Sequence, residues 1–150
     1  MKWEVATIDQ YVQAKAFVDT ALIPLVDIEL GDEIESAVTT SAFVTGVANK
    51  MEEQLKGRVL LLPAMTTISD ESFATLYQRI NAWHSYLKQQ GFKNVVFLTQ
   101  NTEWIERQTE VDSAILVLDS APESLDLFPQ EVSRMTKKTV TMLIEIWQKG

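Results

Sequence analysis

The chain has 150 residues, a net charge of -8, no cysteine and a single histidine, with a sequence pI near 4.6. Such a balance disfavours nucleic acid and anionic membrane surfaces as partners, because both are held by clustered Lys and Arg. The lack of cysteine removes disulfides, thiol nucleophiles and thiolate metal ligands together.

At this length one domain spanning residues 1–150 is the expectation. The N-terminal Met1-Lys-Trp-Glu-Val5 has no apolar signal-peptide core, and no apolar run approaches the ~18 residues of a membrane span. A cytoplasmic protein is the default expectation.

Thr7-Ile-Asp-Gln10 has capping-box spacing and predicts a helix over about Ile8 to Asp19. Ala21 to Ile28 then reads as a first strand, with Pro24 placing it at a sheet edge or a bulge. Asp32 and Glu35 offer a second capping box before a helix from about Glu33 to Leu55, which Gly57 ends. Arg58 to Leu62 is apolar on both faces, as in a strand covered by helices on both sides. Pro63 stops it, and the polar stretch Thr66 to Asp70 reads as a loop.

The next helix has the cleanest periodicity, with Phe73, Leu76, Tyr77, Ile80, Trp83, His84 and Leu87 on one stripe and Gly91 as its C′ residue. A third strand follows from Asn94 to Leu98, a short helix from Trp104 to Thr109, and a fourth strand from Ser113 to Leu118. After a loop from Ala121 to Phe128, Pro129 takes the first position of a helix reaching about Lys149. Helices alternating with strands predict a three-layer α/β/α domain around a four-stranded, mainly parallel sheet.

Several of these segments resemble a known family. Thr20-Ala-Leu-Ile-Pro-Leu25 and Val59-Leu-Leu-Leu-Pro63 are similar to the first two strands of creatininase-type amidohydrolases. Gly91-Phe-Lys-Asn-Val-Val-Phe-Leu-Thr-Gln-Asn101 resembles the segment leading into their NGHGGN loop. More narrowly, the whole chain resembles an uncharacterised family of Bacillus-type bacteria, the YpiF-like proteins. The wider resemblance implies a shortened creatininase-like fold without the chemistry. Val26-Asp-Ile-Glu-Leu-Gly-Asp32 has no histidine where those enzymes carry Glu-x-His-Gly, and Thr99-Gln-Asn-Thr102 keeps only an asparagine of the NGHGGN loop.

Ligands of open parallel sheets bind beyond the carboxyl ends of the strands. Those ends supply Asp27 and Glu29, with Asp32 just past them, then Thr66 and Thr67, Thr99 and Asn101, and Asp119 with Ser120. Asp27, Glu29, Asp32, Thr66, Thr67, Asn101 and Asp119 are therefore the candidate crevice residues. Two readings stand side by side: oxygen ligands for a divalent cation, or loop caps and solubilising charge. No catalytic residue, metal site or cofactor is assigned.

His84 is expected in or beside the core, and a zinc site is disfavoured with one histidine and no cysteine. Arg134, Lys137 and Lys138 read as a solvated basic face. Trp3, Trp104 and Trp147 lie near chain ends or on a short helix. They either pack on the domain's own helices or anchor a homo-oligomer or protein partner. The functional expectation is a non-catalytic interaction or regulatory module. Its alternatives are a divergent metal-dependent hydrolase using Asp27, Glu29, Asp32 and Asp119, or a small-molecule binder in the same crevice.

Overall fold

The computed structural model describes residues 1–119 and 121–150. Ser120, expected at the end of the last strand, lies outside the described residues. In order, the chain forms α1 (Ile8–Ala14), β1 (Thr20–Ile28), α2 (Ile34–Gln54), β2 (Val59–Leu61), β3 (Met65–Ile68), α3 (Phe73–Gln89), β4 (Asn94–Thr99), α4 (Trp104–Arg107), β5 (Ala114–Val117) and α5 (Phe128–Lys149). All named strand pairs are parallel, in the order β2-β1-β4-β5 with β3 also on β1. The three-layer α/β expectation holds, but the sheet has five strands and not four.

The extra strand is β3, in the stretch read as a loop. It continues β2 along the same side of β1 after a one-residue shift of register. Leu22 pairs with Leu61, whereas Leu25 pairs with Met65. Three residues, Leu62 to Ala64, thus face two, Ile23 and Pro24, which is a bulge. Proline explains its place. The Leu22 carbonyl accepts from the Leu62 N–H at 2.9 Å, and Pro24, two residues on, faces the same neighbour without an N–H to give. β1 is central and paired on both sides, so Pro24 marks a bulge and not a sheet edge.

Alternation along the buried strands splits the core in two. Leu22, Val96 and Leu98 face α2 and α5, packing on Phe43, Val47, Met51, Met135 and Leu143. Ala21, Ile23, Val95 and Phe97 face the other way, onto Ile80, Leu87 and Trp104 of α3 and α4, with Tyr11 and Ala14 of α1 alongside. Trp104 is buried despite its four-residue helix, held edge-on between Phe73 and Tyr77. Trp83, expected in the core stripe, is 37% exposed. The buried line of α3 runs through Ile80 and Leu87, and Trp83 falls to its flank.

Both sheet edges are closed by polar groups outside the ladder. Beside β2, the Leu61 N–H donates to the Met1 carbonyl at 2.7 Å and the Trp3 N–H donates to the Leu61 carbonyl at 3.0 Å. Along β3, the Thr66 carbonyl accepts from Arg79 at 3.0 Å and the Ile68 N–H donates to Glu71 at 3.3 Å. Arg79 and Glu71 also pair with each other at 2.6 Å, which holds the Glu71 carboxyl below its usual range. On the far edge the Gln108 amide imitates a strand, donating to the Ser113 carbonyl at 2.7 Å and accepting from the Ile115 N–H at 2.8 Å.

At the amino ends of the strands, the Thr20 hydroxyl donates to Asp19 and accepts from the Trp147 indole at 2.8 Å. Arg58 pairs with Asp19 at 3.0 Å and lies 3.9 Å over the Trp147 ring. This network ties the end of α5 to the base of β1 and β2. Trp147 is thus a packing residue of its own subunit.

Helix ends depart from the expected caps. The Thr7 hydroxyl donates to the Lys2 carbonyl and leaves α1 uncapped, and α2 begins without a side-chain cap. Ser72 is a true N-cap, accepting from the Thr75 N–H at 3.2 Å. α1 stops at Ala14, short of the expected Asp19, and Pro129 is the second residue of α5. The end of α3 is a full Schellman motif: Gly91 at φ +100°, Phe92 N–H to the Leu87 carbonyl, Gly91 N–H to the Lys88 carbonyl, and Phe92 and Leu87 both buried.

Two measurements test this account. Gly91→Ala should cost about 1 kcal/mol in denaturant unfolding, from backbone strain alone, since nothing lies within 4 Å of an added Cβ. Gln108→Ala should cost about 1–3 kcal/mol by leaving the Ser113 carbonyl and the Ile115 N–H at the β5 edge unpaired.

Candidate functional site

β1 is left by α2 on one face of the sheet, and β4 is reached through α3 on the other. Between the carboxyl ends of β1 and β4 the two connections diverge, which is the switch point of a doubly wound sheet. Counting β2 and β3 as one broken strand gives the order 2-1-3-4, the start of the flavodoxin-like order.

A cleft of about 710 Å³ opens at this point. β1 contributes Leu25 and Asp27, and the end of β4 contributes Thr99 with Gln100, Asn101 and Thr102 beyond it. The first turns of α2 present Glu35, Ser36, Thr39 and Thr40, while Ala121, Pro122 and Glu123 close the far side. A second, smaller cleft of about 290 Å³ shares Leu25, Asp27, Thr99 and Asn101, and adds Thr67 and Glu103 on the α3 side. Asp27 and Asn101 thus stand on the ridge between two openings.

Local bonding sets the ridge. The Thr67 hydroxyl donates to Asp27 at 2.9 Å, a contact that exists because β3 extends the sheet alongside β1. The Asn101 N–H donates to the buried Thr99 hydroxyl at 3.1 Å, and its side-chain oxygen accepts from the Glu103 N–H at 3.0 Å. Those bonds hold Asn101 as a turn residue with its amide at the cleft. Every charged residue lining the larger cleft is acidic: Asp27, Glu35 and Glu123.

Of the seven candidate residues, three come together: Asp27, Thr67 and Asn101. The other four serve elsewhere. Glu29 accepts from the Gly31 N–H at 2.9 Å in a local turn. Asp32 is exposed in the turn before α2. Thr66 points out along the β3 edge, and Asp119 binds Arg134 and Lys138 at 3.4 and 3.2 Å. Two of the three residues read as a solvated basic face therefore fasten α5 to the end of β5. Among the described residues no three His, Asp or Glu side chains gather as a metal site.

The hydroxyl row of α2 escaped the sequence reading. Ser36, Thr39 and Thr40 follow the i, i+3, i+4 spacing of one helix face, a signal masked by the apolar periodicity opposite.

His84 lies outside both clefts, its Nδ1 2.7 Å from the Ser113 hydroxyl at the start of β5. Burial first, then Lys88, pushes its pKa below 6.5 against the pull of Asp112. A depressed histidine pKa means that the folded state binds a proton less readily than the unfolded chain. The neutral ring's contribution is complete above 6.5 and is lost as pH falls through the lower folded value. Stability should therefore drop between about pH 7.5 and about pH 5.5, and less so in His84→Asn, as read from urea midpoints at both pH values.

Comparison with known proteins agrees over the whole chain. The protein named "Uncharacterized protein YpiF" in Bacillus subtilis (strain 168) is 29% identical over 150 residues, covering 98% of each chain. No solved structure matches, and the resemblance to creatininase-type amidohydrolases is not shown by the family and relative that do match. The model of the family described as "Protein of unknown function (DUF2487)" matches residues 9–149, and the chain belongs to that family.

Proposed function

We propose that the protein is a non-catalytic binding module whose switch-point cleft takes a small, polar, neutral or cationic ligand. One observation carries this reading: a cleft of about 710 Å³, at the place where doubly wound sheets bind ligands, is lined by hydroxyls, amides and carboxylates without a basic residue. A phosphorylated ligand would meet Asp27, Glu35 and Glu123 with nothing to neutralise it. A polyhydroxylated amine would meet acceptors for both its hydroxyls and its charge.

A binding role joins the interaction and small-molecule readings of the sequence into one. The metal-dependent hydrolase has less support, because Glu29, Asp32 and Asp119 are engaged or placed away from Asp27.

A thermal-shift panel of amino sugars, neutral polyols and sugar phosphates tests the reading. A matching amine or polyol should raise Tm by about 5–10 °C at about a hundredfold excess over Kd. Asp27→Ala should abolish that rise. Stabilisation by the phosphates and not by the amines would sink the proposal.

A further inference from the structure

A third cleft, of about 570 Å³, lies on the opposite kind of surface. It runs between α1 and the C-terminal half of α3, over Leu60 and Leu62 beside the β2 edge. Five of its twelve lining residues are aromatic: Trp3, Trp83 and Tyr86, with Tyr11 and Phe92, these last two stacked at 6.3 Å and 5°. Trp3 is 63% exposed and Tyr86 60%. Solvated aromatic surface gathered in a concavity is the usual mark of a binding site and not of scattered surface residues.

Charge narrows the occupant. Lys15 is the only charged residue in the lining, and it makes no ion pair among the described residues. An isolated cation at the mouth of an apolar cleft selects an occupant with an apolar body and an acidic head. Size narrows it further. The volume falls within the range of about 300–1,000 Å³ typical of small-molecule sites, whereas a protein partner needs about 800 Å² of broad surface.

We propose that this cleft binds a small amphipathic anion: the apolar body lies against Trp83, Tyr86 and Trp3, and a carboxylate or sulfonate meets Lys15. The site is independent of the switch-point cleft, with which it shares no lining residue.

Fluorescence titration with anilinonaphthalene sulfonate, an aromatic body with one anionic head, tests it against phenylnaphthylamine, a similar body without the charge. Saturable binding of one sulfonate per chain is expected. Trp83→Ala should weaken both probes about tenfold. Lys15→Glu should weaken the sulfonate about fivefold and leave the neutral probe unchanged. Val12→Ser, at an exposed apolar residue of α1 outside the cleft, should change neither. Lys15 is exposed, so its variant keeps the test decisive even where Trp83→Ala disturbs α3. Three results would overturn the proposal: no sulfonate binding, equal response of both probes to Lys15→Glu, or a dimer in light scattering that Trp83→Ala dissolves, which would make a second copy the occupant.

Discussion

Everything in this fold is referred to the pairing of β1. It carries β2 and β3 along one flank and β4 along the other, so three of the other strands are placed by it directly. Pro24 interrupts that pairing at the one place where a missing N–H is tolerated, opposite the bulge at Leu62 to Ala64. The interruption lets the neighbouring strand resume as β3 one residue out of step. Thr67 is thereby carried to Asp27, and the sheet reaches far enough to wall the smaller cleft. A backbone accommodation to one proline sets the geometry of the site.

The layers were legible in the sequence because buried parallel strands read as continuous apolar runs and α3 as a helical stripe. β3 was not, since Met65-Thr-Thr-Ile68 has two threonines between its apolar ends, without the period-2 alternation of a strand, and lies just after Pro63. Its strand character comes from β1, which no local signal reports. Capping patterns failed for a related reason. The hydroxyl of Thr7 is turned to donate to the Lys2 carbonyl and accepts from no N–H of α1, Lys2 being brought near by the N-terminal segment running along β2. Trp104 sits on a helix of four residues, and of the two settings open to it, own-domain packing or a partner, two rings of α3 supply the first.

The site was legible to the extent that strand ends define it. Asp27, Thr67 and Asn101 follow from the switch-point rule, whereas the hydroxyl face of α2 needed the helix to be placed against β1 first. Asp119 also sits at a strand end, but the turn before α5 brings Arg134 and Lys138 to it, and it becomes a fastening. The switch-point cleft and the aromatic cleft differ in chemistry. One is acidic and hydroxylated above the sheet, the other aromatic with a single cation beside it.

The closed edges have a consequence for how the chain must fold. All named strand pairs are parallel, so each requires a long crossover before it can form, and such sheets assemble slowly. The groups that seal the flanks, Arg79 of α3 and Gln108 just after α4, belong to segments outside the sheet. A chain with its strands aligned and these segments undocked exposes bare ladder on both sides, the template for intermolecular pairing. The native molecule resists strand addition, and its hazard is confined to the interval before α3 and α4 settle.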